Sequence, residues 1–322
     1  MIIPRYWAEA KTKMKFEGRQ YTIKRFGWSD QNLEAAQQHA EQRVAEAAEQ
    51  LKKDKEIRRF DHKVAYNGAE GLPIREEIIA QQDDVIITRN SYGALCLNTP
   101  DVLFADVDLI HHPSSKLATT VFLTLLSLSS LCAIYMSSWW VFGFGCVIAL
   151  FVTGLISKWL FHIQSKFTGT PAQRALEKIR HFSQQHPDWH LRVYRTPNGY
   201  RILVMHQTFD PRGEQAQNLF QAISTDSCYV LMCKNQNCFR ARISPKPWRI
   251  GVERLRQGIW PIQQERIAQR ADWVQNYQQH AQNYASCRFV EQFGHQLSHP
   301  KAKRVQLLHD QYCKSDTQLE IA

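Results

Sequence analysis

Between Leu117 and Ser157 the 322-residue chain has no Asp, Glu, Lys or Arg, a gap of 41 residues. Two helical bilayer crossings need about 20 apolar residues each. The gap is therefore long enough for a membrane hairpin, and it argues against a purely soluble protein. Histidine is also missing from this interval, which argues against a transport or proton path through it. Acidic residues are scarce more generally, 30 against 40 Lys and Arg, giving a net charge of +10 and a pI near 9.2. Such a balance favours an anionic partner: nucleic acid, nucleotide or acidic lipid. No internal repeat or low-complexity segment is present. The start, MIIPRYWAEAKTKMKF, is too charged and too short in apolar residues for a signal peptide, so export is not expected. Of the eight cysteines, Cys228, Cys233 and Cys238 recur every five residues. That is not a usual zinc-knuckle spacing, and reduced cytosolic thiols are the simpler expectation.

The uncharged stretch divides into two spans, Ala118–Met136 and Trp139–Trp159, with Ser137 and Ser138 at the turn. Unpaired backbone groups are costly in lipid, so both spans are expected to be helices. Trp139 and Trp140 suit the far interface and Trp159 the near one. Lys116, Lys158 and Lys166 flank the hairpin on one side. The positive-inside rule then puts both large segments in the cytoplasm. The expected location is a bacterial-type inner (cytoplasmic) membrane with both termini cytoplasmic. A helical hairpin buried in a soluble core is the alternative, but helices apolar all round need lipid or a large protein around them.

Before the hairpin, residues 19–27 alternate as a strand, and Ser29 or Asp30 offers a helix N-cap. Leu33, Ala36, Ala40, Val44, Ala47 and Leu51 then form a narrow helical stripe. Its small residues predict a helix that packs closely on something. Tyr66-Asn67-Gly68 and Glu70-Gly71-Leu72-Pro73 mark a turn-rich connection. Three short strands follow, Val85–Thr88, Ala94–Leu97 and Val102–Leu109, separated by the turn sequences Asn90–Gly93 and Asn98–Asp101.

After the hairpin a helix is expected to start at Pro171, with Leu176, Ile179 and Phe182 facing inward. Strands are expected at Trp189–Val193 and Tyr200–Phe209 around a Thr196–Gly199 turn, and a helix over Ala216–Ile223. Strands at Cys228–Cys233 and Phe239–Ile243 follow. A long helix from about Trp260 through Ile267, Ala271, Val274, Tyr277, Ala281 and Tyr284, and a shorter helical pattern around Val305–Tyr312, close the chain. The predicted class is α+β. Its core is an RRM-like or ferredoxin-like β-α-β-β-α-β unit of residues 102–116 and 163–257, interrupted by the hairpin at 117–162. Residues 1–101 form an N-terminal α+β segment, and residues 258–322 a helical extension.

Two features suggest chemistry. On the strand VLFADVDL, alternate residues share a face, so Asp106 and Asp108 project together. Such a pair can hold Mg²⁺ or Mn²⁺ against phosphate oxygens; it can equally be two solvated carboxylates at a strand end. The segment YRTPNGYRILV carries Arg195 and Arg201 around a Pro-Asn-Gly turn, where Gly199 permits a close approach of phosphate. This turn can also be a plain hairpin. Downstream, FRARISPKPWRIG adds Arg240, Arg242, Lys246 and Arg249, with Trp248 able to stack on a base. A basic face toward anionic lipid has the same composition. His206 follows the second strand, where it is either structural or a nucleotide contact.

An apolar strand ending in Asp-x-Asp, followed by a strand-turn-strand of the type RTPxG, resembles the archaeo-eukaryotic primase superfamily, most closely its bacterial primase-polymerase branch. The resemblance spans roughly residues 85–251. It implies Asp106 and Asp108 as catalytic ligands of Mg²⁺ or Mn²⁺ for nucleotidyl transfer. It also implies Arg195, Thr196, Asn198 and Gly199 as the nucleotide-side turn, with the basic strand ending at Arg249 guiding template or triphosphate. The family's second motif has a His soon after the turn; here Arg201-Ile202 stand there and His206 comes later. Asp210 and Asp226 are the candidates for a third acid. The expected function is therefore membrane-anchored, metal-dependent nucleotide or phosphate chemistry, or binding of nucleotide or nucleic acid. The alternative is a non-catalytic membrane-tethered scaffold for anionic partners. A metal-dependent glycosyltransferase, which shares the Asp-x-Asp strand, ranks third.

Overall fold

The computed structural model describes the chain apart from residues 1–2, 54–56, 58, 62–71, 257 and 259. Tyr66, Asn67, Gly68, Glu70 and Gly71, expected to form a turn, lie outside the described residues. The protein is α+β and divides into two compact units, residues 1–107 with 182–322, and residues 108–181.

The first unit begins with β1 (Tyr6–Phe16) and β2 (Arg19–Ser29), an antiparallel hairpin in register from Tyr6↔Ser29 to Phe16↔Arg19. Glu17 and Gly18 turn it, both at positive φ. Helix α1 (Leu33–Lys53) packs on this hairpin through Ala36, Ala40, Val44, Ala47 and Leu51. Five of the six stripe residues are thus buried, and only Leu33 stays exposed. The alanines are needed because helix and strand nearly touch. A Cβ on Gly27 would lie 2.2 Å from the Ala36 carbonyl oxygen and from the Ala40 amide nitrogen.

An antiparallel sheet has the order β3 (Glu77–Gln82), β4 (Val85–Arg89), β5 (Leu95–Thr99), β9 (Phe239–Arg242). The β4–β5 turn is set by Asn90, whose Oδ1 accepts from the amides of Tyr92, Gly93 and Ala94 at 3.2, 3.0 and 3.0 Å. The second large sheet has the order β11 (Arg288–Phe293), β7 (Leu191–Arg195), β8 (Gly199–Val204), β6 (Phe104–Asp108). Pairing thus crosses both expected segment boundaries: β5 with β9, and β7 with β11.

Two expectations are corrected here. Cys228–Cys233 is not a strand but part of helix α6 (Ser227–Gln236), which follows α5 (Glu214–Ala222). The apolar run misled because a buried helix and a buried strand look alike over six residues. Its caps decide the matter: Asp226 accepts from the Tyr229 amide at 2.9 Å, and Asn237 ends the helix in the left-handed conformation. The strand expected at Phe239–Ile243 forms as β9, but it joins the β3–β4–β5 sheet rather than the sheet holding β6. At the C-terminus, α8 (Pro300–Cys313) appears where a helix was expected, whereas α7 (Ile267–Ala281) starts later than the expected Trp260 and ends before Tyr284, which lies in a strand. A parallel pair, β10 (Tyr284–Ala285) with β12 (Glu320–Ile321), completes the unit.

In the second unit, α2 (Ser115–Tyr135) and α3 (Trp139–Thr168) pack on one another. Their contact uses small residues. A Cβ on Gly145 would stand 1.9 Å from Ser129 Oγ, and that hydroxyl donates to the Phe142 carbonyl at 3.3 Å. Both helices are long and apolar enough to cross a membrane, and only 11% of each apolar window is buried. Helix α4 begins at Pro171, as expected, and runs to Gln185.

Candidate functional site

Strand β6 brings Asp106 beside Arg201 of β8. The guanidinium Nε donates to Asp106 Oδ1 at 2.8 Å and Nη2 to Oδ2 at 3.1 Å, a bidentate pair. Arg201 Nη1 donates to the Arg242 carbonyl at 2.7 Å and lies 3.5 Å from His309 Nε2. The Arg201 side chain is 2% exposed and that of Asp106 29%. Burial pulls the guanidinium pKa down, but the Asp106 charge and hydrogen bonds outweigh it, and the net shift is upward. A metal binding Asp106 would compete with this pair. Removing one partner of a buried pair costs about 3–5 kcal/mol. Asp108, at the end of β6, is exposed.

The candidate third acids are otherwise engaged. Asp226 caps α6, and its amide donates to the Asp106 carbonyl at 3.0 Å. Asp210 is exposed, and its Oδ1 accepts from the Arg212 amide at 2.9 Å.

The turn expected to hold a nucleotide closes on itself. The Gly199 amide donates to Thr196 Oγ1 at 3.0 Å, and the Thr196 amide donates to the Gly199 carbonyl at 2.9 Å. Arg195 Nη1 donates to the same carbonyl at 3.1 Å and covers the Tyr200 ring. Asn198 is exposed but accepts from Arg249 Nη2 at 2.6 Å. His206 is half-buried, packed on Trp189 and Phe209, and accepts from the His190 amide at 3.4 Å.

The basic strand is likewise spent internally. Arg240, buried on β9, donates through Nη2 to both Glu76 oxygens at 2.8 and 2.7 Å, and through Nη1 to Asn98 at 3.2 Å. Arg242 and Lys246 are partly exposed, with Lys246 over the ring of the exposed Trp248. The structure thus brings Asp106 and Arg201 together as an ion pair, and Asn198 and Arg249 as a turn clasp. It takes Arg240 into a separate pair with Glu76.

A different constellation lies behind Arg201. Cys287 precedes β11, and His309 and Cys313 sit one turn apart on α8. Their ligand atoms all fall within 4.8 Å of one another, and all three residues are buried. Cys287 Sγ is 3.9 Å from His309 Nε2. On the far side of the ring, His309 Nδ1 lies 2.9 Å from Asp310 Oδ1. Asp310 Oδ2 accepts from Gln306 at 2.6 Å and from Arg192 at 3.3 Å. Burial raises the Asp310 pKa, but the hydrogen bonds and charge of His309, with hydrogen bonds from Gln306 and Tyr194, prevail and it is lowered overall. Burial drives the Cys287 thiol pKa well up. None of these three residues was among those expected from the sequence. Their one local signal is the i, i+4 spacing of His309 and Cys313 on a helix.

Comparison with protein-family models, with curated proteins and with solved structures gives no match.

Proposed function

We propose that the protein is a non-catalytic scaffold, anchored in a membrane by the α2–α3 hairpin and presenting its larger unit to anionic partners on the cytoplasmic side. The observation that carries the non-catalytic part of this reading is the Asp106–Arg201 pair, while the anionic partners follow from the net charge of +10. The acid expected to hold a catalytic metal is already saturated on one side by a buried guanidinium. Arg240, expected to grip phosphate, is consumed by Glu76 in the same way. A catalytic phosphate site needs cations free to meet the charge that develops in the reaction.

Anchoring rests on the exposed apolar surface of the hairpin, where Trp139, Trp140, Phe144 and Phe151 are all largely uncovered. In water such a surface is unfavourable, and lipid removes the penalty. Lys116, Lys158 and Lys166 then favour a cytoplasmic side for both flanking segments.

Metal-dependent nucleotide chemistry in an RRM-like, primase-polymerase-like core is the second reading, and one observation favours it. Strand β8 lies between β6 and β7, with α4 in the connection from β6 to β7, as in a split βαβ unit. The glycosyltransferase reading is set aside, because the paired strands before β6 are antiparallel and not repeated βα units.

Mn²⁺ binding to the detergent-solubilised protein separates the two readings. The scaffold predicts equal Mn²⁺ affinity in wild type and in the Asp106→Asn/Asp108→Asn double variant. Binding that disappears in the double variant would show that the aspartates hold a metal and would overturn the scaffold in favour of the metal-dependent reading.

A further inference from the structure

We infer that Cys287, His309 and Cys313 supply three ligands of a zinc site that fastens α8 to the segment entering β11, with the fourth tetrahedral position left to a small exogenous ligand such as water. This inference does not depend on either functional reading. The donor set is the first reason: two thiols and one imidazole select Zn²⁺ over hard, oxygen-seeking ions such as Mg²⁺. The second is geometry. With Zn–S bonds of about 2.3 Å and Zn–N bonds of about 2.0 Å, tetrahedral ligand atoms stand about 3.6–3.8 Å apart. The observed Cys287–His309 distance is 3.9 Å, and no pair in the group exceeds 4.8 Å. Closing those separations takes small side-chain shifts, and no refolding.

The third reason is the support around the histidine. Asp310 can only accept, so the proton of a neutral His309 belongs on Nδ1 and the lone pair on Nε2, the nitrogen facing Cys287. A carboxylate holding the remote nitrogen of a ligating histidine is the usual outer layer of a metal site, and it fixes the ring. Phe104 and Tyr194 pack on the ring, with centroids 5.3 and 4.8 Å away. Gln306 and Arg192 in turn hold Asp310.

Charge also balances. Arg201, the cation nearest to Nε2, is neutralised by Asp106, and Arg192 faces Asp310. Two thiolates therefore suffice to cancel a 2+ ion in this buried place. Binding forms two Zn–S bonds and one Zn–N bond, and releases the two thiol protons to solvent. No oxidant is consumed.

The test uses the full chain, purified in detergent under reducing conditions without a polyhistidine tag. Elemental analysis should find about one zinc per chain. Cys287→Ser and His309→Gln should lose it, while Cys96→Ser and Cys238→Ser, which alter buried thiols outside the group, should keep it. Wild-type protein exchanged into Co²⁺ should develop a thiolate-to-cobalt charge-transfer band, a readout that needs no variant to fold. A wild-type chain with no zinc and no such band overturns the proposal. So does a Cys287–Cys313 disulfide found by peptide mapping after rapid alkylation.

Discussion

Asp106 supplies the counter-charge of a buried guanidinium whose remaining amino group donates to the Arg242 carbonyl. Replacing this aspartate by alanine strips a 2%-exposed arginine of its counter-charge. We expect Asp106→Ala to lower the unfolding free energy by about 3 kcal/mol, the low end for a buried pair because the aspartate side is partly solvated. Asp106→Ala/Arg201→Met should be less destabilised than the sum of the two single changes, since it leaves no orphaned charge. Urea unfolding of the four proteins of this cycle measures both effects; additive losses would mean that the pair is not coupled. His206 makes a second prediction. Burial lowers its pKa from 6.5, with Asp188 opposing and His190 assisting. The unfolded chain therefore takes up this proton at higher pH than the folded one, and stability falls as pH drops through 6.5 toward the native value. His206→Phe keeps the ring contacts to Trp189 and Phe209 and removes the proton. Urea midpoints above and below that pH should decline less for this variant than for wild type. Of these two sites, the sequence marked Asp106 as special but not what it touches. Arg201 is 95 residues away, and no local pattern names a partner at that distance.

Elements were more legible than contacts. The stripe from Ala36 to Leu51 is visible in the sequence because helical periodicity places those residues on one face, and that face is buried. Its alanines also foretold a close approach, which Gly27 completes from the strand side. Gly27→Ala would push a methyl group into α1 backbone at 2.2 Å. We expect a loss of about 3 kcal/mol, the upper end for overpacking, because backbone cannot step aside as a flexible side chain can. Thermal and urea unfolding check it; an unchanged midpoint would mean that α1 sits farther from β2. The failures share one cause. Strands β1, β3 and β11 were not anticipated, since each carries polar residues at about half of its positions and is fixed by its neighbour rather than by its own pattern. Helix α6 looked like a strand for the complementary reason: it is apolar enough to satisfy either period.

For the whole molecule, the decisive question is whether the hairpin crosses a bilayer with its turn on the far side. Ser137 ends the first span at positive φ, and Ser138 precedes the second. In intact cells expressing a Ser137→Cys variant in a background lacking Cys132 and Cys146, an impermeant thiol reagent should label the turn from outside. Cys228, exposed in the larger unit, should react only after lysis. Labelling of Cys228 in intact cells would reverse the orientation. A turn thiol in the Ser137→Cys variant that reacts only after lysis, as Cys228 does, would remove the membrane anchor from the proposed function.

Local chemistry along the chain was enough to dictate where the hairpin lies, which face of α1 turns inward and where Asn90 and Pro171 break the backbone, though not that α3 runs on past Trp159 to Thr168. Hydropathy and periodicity act over a turn or two, so neighbours in sequence suffice to express them. Partner choice is another matter. That β9 joins β5 rather than β6, that Arg201 closes on Asp106, and that Cys287 meets His309 and Cys313 were decided by three-dimensional packing. A buried charge or thiol takes whatever partner the assembled core places within reach, and loop closure over scores of residues leaves no periodic trace in the sequence.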